Sequence, residues 1–214
     1  MLIVALTGGI ATGKSIVAKT LQDLGCYVHH ADQIAHQLME PGKPAWKKIV
    51  SRFGEEILKP DKTINRIKLG AIVFSDEKKR NFINQLIHPL VLEEKKKTID
   101  RLEKEGRHEI FVSEAALTIE SGFAEFFDKI IVVFCQEEIQ IKRLMERDNI
   151  DREEALRKIA SQMPTEEKLK SADYAINSSG AVQSTVEQTE KVFLSLKSDH
   201  KRKQGINRDK DKTT

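Results

Sequence analysis

Residues 7–15, TGGIATGKS, combine three glycines with a lysine and a terminal hydroxyl side chain, directly after the apolar run LIVAL. The spacing of Gly8, Gly13, Lys14 and Ser15 matches the phosphate-binding pattern G-x-x-x-x-G-K-[ST]. The glycines let backbone N–H groups curl around a polyphosphate, and the lysine can reach the β- and γ-phosphates. The segment therefore predicts a binding site for a nucleoside triphosphate.

The residues expected to contact the nucleotide are those of this loop and the first helical turn after it. They are Gly8, Gly9, Ala11, Thr12, Gly13, Lys14, Ser15 and Ile16. The run SIVAKTLQDL predicts a helix whose N-terminus directs partial positive charge at the phosphates. Because a strand precedes the loop and a helix follows it, we favour this function over a plain glycine-rich turn.

Asp32 follows the second strand-like segment, CYVHH, and is a candidate for acid–base chemistry. A carboxylate at a strand end beside the phosphate loop can accept a proton from an attacking hydroxyl during phosphoryl transfer. The alternative is an N-cap for the helix QIAHQLM, a position that aspartate favours. The sequence leaves both roles open, and one residue can fill both.

Arg143 and Arg147 are four residues apart and therefore share one face of a predicted helix. Two guanidinium groups on one face suit a lid that folds over a triphosphate and stabilises charge in the transition state. A solvated face with intrahelical Glu–Arg pairs is the alternative. The phosphate loop elsewhere in the chain favours the lid.

The histidines do not form a recognisable metal site. Six are present, without an HExxH motif or metal-ligand spacing. His88, which precedes Pro89, is more typical of a structural than of a catalytic histidine. Mg²⁺ carried by the nucleotide, with the Ser15 hydroxyl as a ligand, is the metal that we expect.

Strand and helix signals alternate along the chain and predict an α/β fold with a central parallel sheet. Strands are expected near residues 2–6, 26–30, 110–117, 129–135 and 174–177. A last helix should bury one apolar face, formed by Val182, Val186, Val192, Phe193 and Leu196. This is the three-layer architecture of P-loop NTPases.

A long stretch without strand signals, about residues 33–107, separates the second and third strands. A plain crossover needs only about a dozen residues, so this stretch predicts a helical insertion that binds substrate. Its segment AWKKIVSRF has apolar residues at helical spacing. We expect Ser75 to cap a helix that ends near His88, and Pro89 to begin another.

A charged, arginine-rich helical excursion after the fourth strand, about residues 137–171, is the predicted lid. Within it Asp151 and Glu154 have the spacing of a capping box. The core then comprises about residues 1–32, 108–136 and 172–198, so that a single P-loop domain covers 1–200. The basic tail, 199–214, lacks aromatic residues, and we expect it to be disordered and solvated rather than bound to nucleic acid.

Composition excludes several classes of protein. No apolar run approaches the ~20 residues that span a membrane, and the N-terminus lacks the basic region of a signal peptide. Only Cys26 and Cys135 are present, which indicates a reducing cytoplasm rather than a disulfide framework. We expect small-molecule partners, neither nucleic acid nor membrane, and a monomer or weak homo-oligomer.

Several segments together resemble the dephospho-coenzyme A kinase family, within the nucleoside-monophosphate-kinase-like class. They are IVALTGGIATGKS, HADQIAHQLMEPGKPAW, NQLIHPLV, IKRLMERD and ADYAINSSG, in the family's order over residues 3–180. The guanine-specific N/T-K-x-D motif and the LSGGQ signature are both absent from the sequence. The rivals are another small-molecule P-loop kinase and a nucleotide-binding regulator without phosphotransfer.

The resemblance implies transfer of the ATP γ-phosphate to the 3′-hydroxyl of the dephospho-CoA ribose, giving coenzyme A and ADP. It implies roles for particular residues. These are Asp32 as base and substrate ligand, Arg66 and His88 as substrate ligands, Lys14, Arg143 and Arg147 in catalysis, and Asn177 near the adenine.

The sequence departs from the family pattern at three places. His30 replaces the first acid of the Asp32 segment. Ala11 replaces a common loop glycine, and we expect alanine to be tolerated there if its φ is negative. Ala116 and Thr118 depart from the pattern of the segment after the third strand, which is expected to form the substrate wall and which Leu117 and Glu120 fit.

Overall fold

The computed structural model describes residues 1–74 and 76–211, and side chains are described for these residues except 74 and 207–211. Over this part of the chain the strands are β1 (Leu2–Gly8), β2 (Tyr27–His30), β3 (Ile110–Glu114), β4 (Lys129–Phe134) and β5 (Tyr174–Asn177). They form one sheet in the order β2-β3-β1-β4-β5. The predicted strands are all present.

The helices follow the predicted alternation. They are α1 (Lys14–Asp23), α2 (Ala31–Leu38), α3 (Pro44–Phe53), α4 (Arg66–Phe74), α5 (Glu77–Glu105), α6 (Glu137–Asp148), α7 (Arg152–Ala160), α8 (Thr165–Lys170) and α9 (Val182–Asp211). None of them, over the described residues, is long and apolar enough to cross a bilayer.

The chain divides into two compact units. The first contains Met1–His29 and the chain from Leu102 onward, and the second is His30–Arg101. In the first unit β1 pairs in parallel with β3 and with β4, and β4 pairs in parallel with β5. Parallel strands end at a common edge, so β1, β3, β4 and β5 bring the residues that follow them together there.

Both faces of β1 are covered, as is usual for a parallel sheet. Leu2, Val4 and Leu6 lie in a buried cluster with apolar residues of α1 and α9. Ala5, which points the other way because strand side chains alternate, lies in a separate cluster with Phe127 and Val132. This packing fixes the end of β1, and with it the start of the phosphate loop.

The second unit is built from helices around its own apolar cluster. The stripe predicted on AWKKIVSRF lies on α3, where Ile49 and Phe53 are buried and Trp46 packs against the same cluster. Trp46 Nε1 also donates a hydrogen bond to the Lys62 carbonyl over 2.9 Å. The unit spans residues 30–101, whereas the sequence predicts about residues 33–107 for the insertion.

The expected break at Pro89 is wrong, because α5 continues through this residue. Proline removes one backbone hydrogen bond and crowds the preceding turn, which costs about 3 kcal/mol in a helix interior. Apolar neighbours on both sides offset that cost: Ile87 is buried, and Leu90 and Val91 pack against the same cluster. Ser75, the expected cap, lies outside the described residues.

The expected disorder of the basic tail is also wrong for the described residues, because α9 extends to Asp211. Composition misses the partners of this segment. Lys203 donates hydrogen bonds to Asp128 Oδ2 over 2.6 Å and to the Met1 carbonyl over 3.0 Å, and Lys197, just before the tail, pairs with Glu109. Residues 212–214 of the tail lie outside the described part of the chain.

Candidate active site

The phosphate loop requires glycine at two of its positions. β1 ends at Gly8, where an added Cβ would stand only 2.2 Å from the Val133 carbonyl oxygen of β4. Gly13 is the N-cap of α1 and has a φ of 84°, in the left-handed region. These two glycines are the ones that the motif specifies, and here the packing of the sheet and the start of the helix explain them.

The condition for easy tolerance of Ala11, a negative φ, is not met, because this residue has a φ of 58°. Left-handed backbone brings an L-residue's Cβ too close to the following carbonyl, which costs roughly 1–2 kcal/mol. The loop therefore holds an alanine in a conformation suited to glycine. The cluster of Ile141, Leu144 and Ala155, against which Ala11 packs, supplies apolar contacts in return.

We expect Ala11→Gly to stabilise the protein by about 0.5–1 kcal/mol, since relief of the strained φ exceeds the entropy that glycine adds to the unfolded chain. The melting temperature should rise by about 1–4 °C. The matched control is Ala71→Gly on the exposed surface of α4, where glycine should cost up to about 1 kcal/mol. Equal destabilisation by both variants in thermal unfolding would refute strain at Ala11.

Side chains of the loop hold its carbonyl groups. Lys14 Nζ donates hydrogen bonds to the carbonyls of Gly8 over 3.0 Å and Gly9 over 2.9 Å. Thr12, which is buried, donates from Oγ1 to the Gly9 carbonyl over 2.8 Å. The first N–H groups of α1 have no acceptors inside their own helix. The loop and helix together therefore form an anion site.

Arg143 lies against the phosphate loop. Its guanidinium donates from Nη1 to Ser178 Oγ over 3.2 Å and from Nη2 to the Ser178 carbonyl over 2.8 Å. The buried Ser178 hydroxyl in turn donates to the Thr12 carbonyl over 2.7 Å. Nη1 stands 3.8 Å from the position of a Cβ on Gly13. Ser178 was not singled out by the sequence, although it lies in the segment ADYAINSSG that carries the family resemblance.

Arg147 is placed differently from Arg143. Its side chain is half exposed, and it donates from Nε and Nη2 to the Asp148 carboxylate over 2.8 and 3.2 Å. Lys158 also contacts this carboxylate, at 3.1 Å. These donors, Arg147 first, hold the pKa of Asp148 below its usual range. Of the two predicted arginines, the structure thus brings Arg143 alone to the loop.

Asn177 is the last residue of β5 and lines a cavity of about 720 Å³ beside the ends of β4 and β5. Its Oδ1 accepts the Ser179 N–H over 2.9 Å, which shapes the turn after the strand. Gln136 and Ser179 also line the cavity, and Leu156 and Leu169 supply apolar walls. A cavity of this size and mixed lining suits a small ligand such as a nucleotide base.

Two glutamines contact the tip of the loop and were missed by sequence reasoning. Gln140 of α6 donates from Nε2 to the Ile10 carbonyl, and Gln162, after α7, accepts the Ile10 N–H at Oε1, each over 2.7 Å. A glutamine in a highly charged helical segment resembles a surface residue. Only the fold shows that Gln140 is buried.

The segment with Ala116 and Thr118 contributes mainly through its backbone. The Ala116 carbonyl accepts hydrogen bonds from Thr7 Oγ1 over 3.1 Å and from Lys168 Nζ over 2.9 Å. The Lys168 side chain is 1% exposed and forms an ion pair with Glu120. Because a carbonyl makes these contacts at position 116, the side chain there is free to depart from the family pattern.

In the second unit, α2 begins immediately after β2 and places Asp32 in its first turn. The N-cap is His30, so the interpretation of Asp32 as N-cap is wrong. Arg66 is the first residue of α4. The pKa of His36 is lowered by burial and by the Arg66 charge, against the opposing effect of Asp32, so His36 interacts with both charged groups. Sequence reasoning did not single out His36.

His88 lies within α5 and is half-buried. Burial lowers its pKa, which favours the neutral imidazole. A neutral ring donates from one nitrogen and accepts at the other. His88 therefore suits hydrogen bonding to a ligand more than attraction of a phosphate charge.

A parallel sheet with a phosphate loop after β1, a helical unit after β2 and an arginine-bearing helix after β4 defines a P-loop kinase. The chain belongs to the dephospho-CoA kinase family, whose model matches residues 2–184. Family membership makes it an ATP-dependent kinase that phosphorylates dephospho-CoA in coenzyme A biosynthesis. The fold class and family predicted from the sequence are confirmed.

Similar proteins agree with this assignment. A dephospho-CoA kinase from Carboxydothermus hydrogenoformans is 46% identical over 186 residues, which cover 87% of this chain and 90% of the relative. The solved dephospho-CoA kinase from Campylobacter jejuni is 31% identical, with a TM-score of 0.66 over 91% of this chain and 96% of that one. The shikimate kinase from Acinetobacter baumannii, 16% identical with a TM-score of 0.53 over 93% and 94% of the two chains, shows the fold alone.

Proposed function

We propose that this chain transfers the γ-phosphoryl group of ATP to the 3′-hydroxyl of the dephospho-CoA ribose, with the residues assigned below. The observation that carries the proposal is the phosphate loop. A side chain at Gly8 would clash with β4, Gly13 has a positive φ, and Lys14 donates hydrogen bonds to two carbonyls of the loop. Arg143 beside it supplies a second positive charge.

The triphosphate is assigned to the loop and the N-terminus of α1, from Gly8 to Ile16. Backbone N–H groups of this segment donate to phosphate oxygens, and the Lys14 ammonium neutralises charge on the β- and γ-phosphates. Asn177 and the cavity that it lines are assigned to the adenine. The cavity lies at the C-terminal ends of β4 and β5, the edge of the sheet at which the phosphate loop also begins.

Ser15 is the residue that would hold Mg²⁺, because its hydroxyl is an exposed oxygen in the first turn of α1. Mg²⁺ in such kinases takes one or two protein oxygens and completes its shell with phosphate oxygens and water. The described residues contain no preformed metal cluster, and this type of binding requires none. When bound, the ion neutralises charge that develops on the phosphates.

Asp32 is assigned as the base that orients the 3′-hydroxyl and receives its proton. The hydroxyl oxygen forms a bond to the γ-phosphorus while the bond from that phosphorus to the β-γ bridging oxygen breaks, which releases ADP. The position of Asp32 two residues after β2 supports this role. Arg66 and His88 are assigned as substrate ligands; Arg66 already interacts with His36, near Asp32.

We expect Asp32→Asn to lower kcat with dephospho-CoA about 10²-fold or more, the range for loss of a general base. The amide keeps the shape of the side chain but cannot take the proton. The measurement is kcat beside thermal stability. The control, Asp23→Asn, changes an exposed carboxylate that pairs with Lys19 at the end of α1. Unchanged kcat in Asp32→Asn would exclude the base.

A substrate panel tests the function itself. Acceptor-dependent formation of ADP should be fastest with dephospho-CoA, compared with nucleoside monophosphates and shikimate. Shikimate belongs in the panel because a shikimate kinase shares the fold. Preference for another acceptor would support a different small-molecule kinase, and ATP hydrolysis independent of any acceptor would support a regulator.

The compartment proposed for the reaction is the cytoplasm. Cys26 and Cys135 are both free and buried, which fits a reducing environment. Burial raises the pKa of the Cys26 thiol to about 12, so this side chain stays protonated and unreactive at neutral pH. The proposed partners are ATP and dephospho-CoA, bound by a monomer or weak homo-oligomer.

A further inference from the structure

The tip of the phosphate loop is held by side chains from outside the loop. Both polar groups of the Ile10 backbone are engaged: its N–H donates to Gln162 Oε1 and its carbonyl accepts from Gln140 Nε2, each over 2.7 Å. Both distances are short for hydrogen bonds between neutral groups. The two glutamines therefore fix the orientation of one residue in the middle of the loop.

Gln140 also explains a glycine that the motif does not require. A Cβ added to Gly9 would stand 2.8 Å from Gln140 Nε2 and 3.7 Å from Gln162 Oε1. The Gln140 side chain is itself buried, at 4% exposure. The loop and the two amide side chains are thus in van der Waals contact, in addition to the two hydrogen bonds that join them.

The backbone next to Gln162 is held in place by a hydrogen-bond network. The next residue, Met163, donates its N–H to Glu120 Oε1 over 3.3 Å. Glu120 pairs with the buried Lys168, whose ammonium also donates to the Ala116 carbonyl over 2.9 Å. This network ties the segment of Gln162 to the loop after β3, and thereby to the sheet that carries the phosphate loop.

Apolar contacts also reach the tip, where Ile10 and Ala11 pack against the cluster of Ile141, Leu144 and Ala155, but the glutamines hold its peptide groups. Lys14 and Thr12 hold the carbonyls of Gly8 and Gly9, at the start of the loop. Ala11, next to Ile10, sits in strained left-handed backbone with a φ of 58°. Strained backbone persists where surrounding contacts determine it. The hydrogen bonds of Gln140 and Gln162 to Ile10 are contacts of this kind, next to the strained Ala11.

We propose that Gln140 and Gln162 are positioning residues: by holding the Ile10 peptide groups they preset the phosphate loop for phosphoryl transfer. The inference rests on the proposed function, because it concerns the same transfer. Catalysis by preorganised N–H donors depends on their orientation before the reaction, and a displacement of about 1 Å can cost about 10²-fold in rate. Both glutamines also line the cavity assigned to the adenine, but the effect on the loop requires no contact with the base.

The experiment compares Gln140→Leu, Gln162→Leu and the double variant with a control, Gln183→Leu, an exposed glutamine on α9. Each single change should lower kcat about 10- to 100-fold, with the KM for dephospho-CoA unchanged. Because both glutamines act through one residue, the kcat of the double variant should be only slightly below that of the less active single variant. Gln183→Leu should match the wild type.

A second measurement does not depend on turnover. In ¹⁵N-labelled protein without nucleotide, the Ile10 amide resonance should move upfield in Gln162→Leu and stay in place in Gln183→Leu, since the N–H loses its acceptor. Gln162→Asn, a shorter side chain with the same groups, replaces the leucine variant if that protein does not fold. An unmoved resonance overturns the contact on which the inference rests.

The outcomes separate the inference from the proposed function. A wild type without dephospho-CoA turnover refutes the function, while the Ile10 resonance still tests the positioning contact. An active wild type with unchanged kcat in both single variants overturns the positioning role. Multiplicative losses in the double variant, or a fall in melting temperature without a fall in kcat, identify two separate structural contacts and also overturn it.

Discussion

Replacement of Lys14 by alanine is expected to lower kcat about 10³-fold or more, because its ammonium is the loop's own positive charge for the β- and γ-phosphates. In the structure Nζ is already within 3.0 Å of two loop carbonyls. The charge is therefore held at the site before nucleotide arrives, and little reorganisation is needed to transfer its hydrogen bonds to phosphate oxygens.

The measurement is kcat with saturating ATP and dephospho-CoA, beside the melting temperature of the same variant. Loss of the bonds to the Gly8 and Gly9 carbonyls should cost about 1 kcal/mol each at most, so the folded state persists. Lys19→Ala is the matched control, since Lys19 lies on the same helix but is exposed and pairs with Asp23. Near-normal turnover of Lys14→Ala would refute the assignment of the phosphate loop.

The parts of the fold that the sequence predicted are those with a local signal in the chain. The β1 segment is apolar because both of its faces are covered, and the motif glycines follow from a close approach to Val133 and a left-handed helix start. Asp151 caps α7 through a hydrogen bond to the Glu154 N–H over 2.8 Å, as its spacing predicts. Each of these features leaves a signal in a few adjacent residues, even where its cause is a distant strand, as Val133 is for Gly8.

The features that escaped prediction depend on contacts between distant segments. Ile10 meets Gln162 across 152 positions of the chain, and Lys203 meets the Met1 carbonyl across 202. Composition treats Lys203 as part of a solvated tail, since no local pattern encodes its partners. The same holds for α5, where packing on both sides of Pro89 overrides a local helix-breaking preference.

The two lid arginines are expected to differ, although their spacing alone makes them equivalent. Arg143→Ala should lower kcat about 10²- to 10⁴-fold, because its guanidinium already lies beside Gly13 and is aimed by the Ser178 contacts. Arg147→Ala should also lower kcat, but by less than Arg143→Ala. Arg147 must first leave the Asp148 carboxylate, so part of its interaction with phosphate replaces an existing ion pair.

Comparison of kcat with KM separates catalysis from ground-state binding. A residue that contacts charge developing in the transition state lowers kcat when removed, whereas uniform binding changes only the KM for ATP. The control is Arg152→Ala, since Arg152 is exposed and pairs with Glu138. Arg143→Lys should recover little activity, because lysine cannot reproduce the two-pronged contact with the Ser178 hydroxyl and carbonyl. A change confined to the KM for ATP in Arg143→Ala would show that the arginine binds nucleotide without stabilising the transfer.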